Sequence, residues 1–99
     1  MKFYMCTSLI DKKEKDYFAA IDIMKTKVED IFGTSEDNEY KYRMWLPKST
    51  KETKEVAKAN FADLMNSDVL VLERDFYNCN MCMIMFSAAR ECKMEILIL

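Results

Sequence analysis

Ninety-nine residues suffice for one domain with one core and are too few for two. With 51% apolar and 32% charged residues the chain is not intrinsically disordered. A net charge of −2, with lysines scattered among acids, excludes the basic stripe that a duplex nucleic acid requires.

Gly33 and Pro47 are the sole glycine and proline, too few turn residues for an all-β sandwich, which needs a turn about every 8–12 residues. Met1 to Ile10 carries one Lys and no sustained apolar stretch, so it does not read as a signal peptide. No apolar run approaches the roughly 18–20 residues of a membrane span, so no membrane partner is expected. Four cysteines without an export signal read as reduced thiols, and the expected location is cytoplasmic.

Lys2 to Leu9 (KFYMCTSL) is β-prone and ends in small polar residues, which predicts a buried first strand. Asp11 to Phe32 carries a helical period, with Phe18, Ile21, Met24, Val28 and Ile31 or Phe32 expected on the buried face. Asp11 is its expected N-cap and Gly33 its stop. An acidic loop (Thr34 to Glu39) precedes a second strand, Tyr40 to Leu46, closed by Pro47. Ser49 and Glu52 form an S-x-x-E capping box. The helix it opens is expected to bury Ala57, Phe61, Leu64 and Met65 and to end near Asn66.

Asp68 to Glu73 (DVLVLE) is a near-continuous aliphatic run, the pattern of a strand covered on both faces. A loop from Phe76 to Asn80 leads into a third helix whose buried face reads as Met81, Met85, Ala88 or Ala89 and Cys92. Met94 to Leu99 (MEILIL) is the last strand. The order β-α-β-α-β-α-β predicts a single α/β domain over residues 1–99, a doubly wound, three-layer sheet of about four parallel strands of Rossmann or flavodoxin type.

In such sheets a ligand sits beyond the carboxyl ends of the strands, where the strand order reverses. If the first and third strands meet there, two loops converge. One is Cys6-Thr7-Ser8-Leu9, with hydroxyls and backbone N–H groups; the other, Glu73 to Asn80, leads into the start of the third helix. Helix starts favour anions such as phosphate, which points to a nucleotide-sized ligand.

Tyr4-Met5-Cys6-Thr7-Ser8-Leu9 resembles the first strand and loop of the nucleoside 2-deoxyribosyltransferase-like superfamily, which includes the 2′-deoxynucleoside 5′-phosphate N-hydrolases. Phe61 to Leu72 (FADLMNSDVLVL) is similar to its second signature, a helix ending in an acidic-apolar segment followed by a small-Asp-aliphatic strand. Ala88 to Leu99 resembles its closing helix and strand. The resemblance implies a nucleotide-binding fold, with a glutamate at the start of the third helix attacking the sugar. Counting back from Ala89, that position falls on Met85 and the following glycine on Ser87. The first-loop glycine is replaced by Thr7, and the Gly-rich turn by Asn78-Cys79-Asn80-Met81-Cys82. A thioether cannot form the glycosyl ester that a carboxylate forms, and Met81 to Ala89 contains no carboxylate.

The expectation is therefore a non-catalytic binder of a nucleotide or nucleoside derivative, without cofactor. It would act by sequestration, for instance as a phage-type sponge for a nucleotide signal of host defence. Two other readings stand beside it. One is an active N-glycosidase or deoxyribosyltransferase using a displaced carboxylate, Glu73 or Asp75; the other is an interaction module without ligand. The apolar last strand, and family sites completed by a second subunit, lead to the expectation of a homo-oligomer.

Other residues are read two ways. Thr7 and Ser8 either bind ligand or satisfy local backbone groups. Asn78, Asn80 and Met81 line the helix-start loop. Met81, Met83 and Met85 either form a soft pocket for a base or pack a helix on the sheet. Trp45 either stacks on a base, caps the core edge or meets a second subunit. Tyr17 is an active-site phenol in some relatives, or a plain tyrosine. Lys12, Lys13 and Lys15 with Glu14 and Asp16 read as a solvated helix face, or supply one lysine to a phosphate. Cys79-Asn80-Met81-Cys82 is a C-x-x-C at a helix start, but the partner cis-proline loop of a thioredoxin-type site is missing. Zinc lacks a second C-x-x-C and any His, so two small apolar residues packing the helix start is the reading taken.

Overall fold

The computed structural model describes residues 1–7, 14–42 and 50–99. The elements run β1 (Lys2–Cys6), α1 (Glu14–Phe32), β2 (Glu39–Lys41), α2 (Thr50–Met65), β3 (Val69–Leu72), a single 3₁₀ turn (Phe76–Asn78), α3 (Asn80–Glu91) and β4 (Glu95–Ile98). Among the described residues the strands form one parallel sheet in the order β2-β1-β3-β4. The fold class is the expected one. The expected N-caps Asp11 and Ser49 and the terminator Pro47 lie outside the described residues, as do the loop residues Ser8 and Leu9 and residues 43–46 of the expected second strand.

The two central strands are apolar on both faces because both faces are covered. Phe3, Tyr4 and Met5 of β1 and all four residues of β3 are buried. Phe3, Met5, Val69 and Val71 face α1 and meet Tyr17, Ile21, Met24 and Val28. Tyr4, Leu70 and Leu72 face the other way, against Leu64 of α2 and Cys82, Met85, Ala88 and Ala89 of α3. One helix on one face and two on the other is what right-handed crossovers give for this strand order. The edge strands are less covered, with Ile98 of β4 exposed.

Hydrogen bonds fix the amino ends of β1 and β3. The Lys2 amide donates to Asp68 Oδ2 at 2.7 Å, and the Asp68 amide donates to the Lys2 carbonyl at 2.7 Å. Asp68, just ahead of the aliphatic strand, thus sets the β1–β3 register of Phe3 opposite Val69. At the end of α1, Gly33 adopts φ 82° and its amide reaches the Glu29 carbonyl at 2.8 Å, the left-handed stop expected of it.

Ile21, Met24 and Val28 on α1, Leu64 on α2, and Met85, Ala88 and Ala89 on α3 are buried as expected; the faces differ from expectation at particular positions. On α1, Tyr17 is buried while Phe18 and Ile31 are exposed, and Phe32 covers the core edge. On α2 the buried line is Val56, Asn60 and Leu64, with Phe61 and Met65 exposed and Ala57 half-buried. On α3, Cys82 is buried, Met81 is half-buried and Cys92 exposed. The reason is common to α1 and α2. A polar-tipped residue has a polar neighbour inside, so the helix turns toward it and leaves a more hydrophobic neighbour outside. Asn60 accepts from the Tyr4 hydroxyl, and Tyr17 holds an interaction of its own within the chain. The loop expected from Phe76 to Asn80 contains the 3₁₀ turn.

Candidate functional site at the carboxyl edge of the sheet

β1 and β3 are neighbours, and the chain leaves them toward opposite faces, through α1 and α3. This is the topological switch point of the sheet. Cys6 pairs with Leu72, so the next residues, Thr7 and Glu73, emerge side by side. The first and third strands meet, as the expected convergence requires, and the first loop beyond Thr7 lies outside the described residues.

Around this point side chains from four elements meet. Cys6 Sγ lies 3.1 Å from Cys82 Sγ in the first turn of α3. Cys82 also neighbours Cys79 and the Glu73 carboxylate. Tyr17 of α1 lies against Tyr42, ring centroids 6.4 Å apart, within electrostatic range of Cys6 and Cys82. Burial, followed by these neighbours, pushes the Tyr17 phenol well above a tyrosine's ordinary range. Cys79 is held up by its hydrogen bond to Cys82 and by burial; Cys82 is held up chiefly by its hydrogen bond to Cys6, with burial adding. Tyr17, Cys79 and Cys82 are therefore held in their neutral forms at ordinary pH. Among the described residues no group of His, Cys, Asp and Glu is arranged to hold a metal ion, and no helix is long and apolar enough to cross a membrane.

Of the expected site residues, Cys6, Thr7, Tyr17 and Glu73 come together at the floor, beside Cys79 and Cys82, expected only to pack the helix start. Thr7 is buried, and both it and Glu73 already hold an interaction within the chain. Asp75, Asn78 and Asn80 are exposed on the loop and helix start, and Met81 is half-buried against the core. Met85 is 0% exposed between α3 and the sheet, which is the packing role weighed for it. Ser8, Leu9 and Trp45 lie outside the described residues.

Four residues at this edge were not anticipated. Phe18 and Tyr42 are exposed and meet edge to face, their centroids 6.0 Å apart, with Tyr17 alongside. Lys27 and Arg74 line a cleft of about 560 Å³ together with Glu73, Asp75 and Leu99, within the volume range of small-molecule sites. Tyr42 read as an interior residue of the expected strand Tyr40 to Leu46, whereas β2 ends at Lys41 and leaves it just past the strand end; the others are brought in by tertiary placement. No family model, curated protein or solved structure matches the chain.

Proposed function

We propose that the protein binds a nucleotide or nucleoside derivative at the carboxyl edge of β1 and β3 and does not cleave it. The observation that carries this reading is the side-by-side emergence of Thr7 and Glu73 at the switch point. A base has the exposed Phe18–Tyr42 pair to stack on, and a phosphate has the α3 start. Catalysis is disfavoured because Met85 is core and the first turns of α3 offer thiols and thioethers in place of a carboxylate. A binder without turnover acts by lowering the free concentration of its ligand. We extend the proposal to sequestration of a nucleotide signal, in the manner of a phage sponge against host defence, by a homo-oligomer.

One observation favours a second reading. Glu73 and Asp75 share the cleft with two cations, so a displaced carboxylate would make the protein an N-glycosidase. Titration of ¹⁵N-labelled protein with nucleoside 5′-monophosphates tests the placement of the site. Amide shifts concentrated at Thr7, Glu73 and Asn80 support it; shifts elsewhere, or none at saturating ligand, rule it out.

A further inference from the structure

We propose that Cys6 and Cys82, on the floor of the candidate site, form an oxidisable dithiol that closes into an intrachain disulfide joining β1 to α3, whether or not a ligand binds there. The C-x-x-C motif draws attention to Cys79 with Cys82, yet the structure sets Cys82 Sγ 3.1 Å from Cys6 Sγ. This is closer than the roughly 3.5–4.0 Å of ordinary unbonded heavy-atom contact. Closing to a bond of about 2.05 Å asks for little movement. Both partners are held by the sheet, since β1 pairs with β3 along its length and α3 packs on β3.

The environment gives the two sulfurs different tasks. Cys6 is partly exposed, whereas Cys82 is 1% exposed, so an incoming oxidant meets Cys6 first. With a low-molecular-weight disulfide RSSR as oxidant, the Cys6 thiolate attacks one sulfur and RSH leaves, giving the mixed disulfide Cys6–S–S–R. Cys82 then loses its proton and attacks Cys6 Sγ, expelling the second RSH. The two protein thiols are oxidised, the external disulfide is reduced, and the balance is Cys6–SH + Cys82–SH + RSSR → Cys6–S–S–Cys82 + 2 RSH. Cys79, hydrogen-bonded to Cys82, stays reduced in this product. The cross-link spans a sequence separation of 76 residues and removes freedom from the unfolded chain.

The test treats the reduced full-length protein with glutathione disulfide under native conditions, alkylates what remains, and maps the unreduced digest by mass spectrometry. The expected result is a Cys6–Cys82 cross-linked peptide with Cys79 and Cys92 alkylated, and a Tm raised by a few degrees, on the order of 5 °C. Cys92→Ser must leave the cross-link intact. Cys6→Ser, a change at a partly exposed position, must slow loss of the Cys82 thiol by at least about tenfold. A cross-link between Cys79 and Cys82, oxidation confined to Cys92, or an unchanged rate in Cys6→Ser overturns the proposal.

Discussion

The Tyr4 hydroxyl of β1 donates to Asn60 Oδ1 of α2, across an interface where both residues are buried. A buried amide on a helix is costly unless paired, so this bond explains why α2 turns its Val56–Asn60–Leu64 line inward. Asn60→Ala removes the acceptor from the Tyr4 hydroxyl and is expected to lower stability by about 1–3 kcal/mol, read by urea unfolding. A change under about 0.5 kcal/mol would show that the bond does not direct the helix.

The phase of α2 has a test of its own. Leu64→Ala, at a position 0% exposed, is expected to cost about 2–5 kcal/mol. Phe61→Ala, at a position 38% exposed, is expected to cost far less, about 1 kcal/mol or under. Equal losses in parallel denaturant curves, or a larger loss at Phe61, would contradict the observed face.

α3 ends in a motif that the sequence does not advertise. The Met94 amide donates to the Ala89 carbonyl at 2.9 Å and the Lys93 amide to the Arg90 carbonyl at 3.1 Å. Lys93 between them adopts φ 55°. This is a Schellman cap with a lysine where glycine is usual. Lys93→Gly relieves the left-handed strain and is expected to stabilise the protein by about 0.5–1 kcal/mol; a lower denaturation midpoint would count against the cap.

Tyr17, Cys79 and Cys82 are all held protonated above their ordinary range, 10.0 for the phenol and 9.0 for the thiols. In the unfolded chain they ionise first, so the unfolded state binds fewer protons than the native state as pH rises past 9. The stability from these neutral groups is full below that point and falls as pH climbs toward the raised native values. Urea unfolding under reducing conditions is expected to give a plateau from pH 7 to about 8.5 and a decline above 9. Tyr17→Phe makes the decline shallower. A flat profile to high pH would contradict the assigned burial.

The element order was legible because its signals are local: the VLVL run of β3, the helical periods and the Gly33 stop. Most of the buried positions on the helices were legible too, but Tyr17 and Asn60 were missed because hydropathy ranks Phe18 above Tyr17 and Phe61 above Asn60. The adjacency of the ends of β1 and β3 followed from topology alone, so the neighbouring positions of Thr7 and Glu73 were legible. The Cys6–Cys82 contact depends on two elements far apart in sequence, and no local pattern marks it. Lys27 and Arg74 reach their cleft from a helix and a loop whose sequences read as ordinary solvated surface.

The most direct test of a binding site without catalysis is mass spectrometry of what the folded protein retains. The protein is incubated with a cell-extract nucleotide pool, washed, and denatured to release whatever it holds. The account predicts one intact nucleotide in near-stoichiometric amount, reduced in Thr7→Val and Glu73→Gln variants that remain folded. Free base or sugar phosphate accumulating in the supernatant would contradict it in favour of a glycosidase, and an empty protein would contradict it in favour of an interaction module.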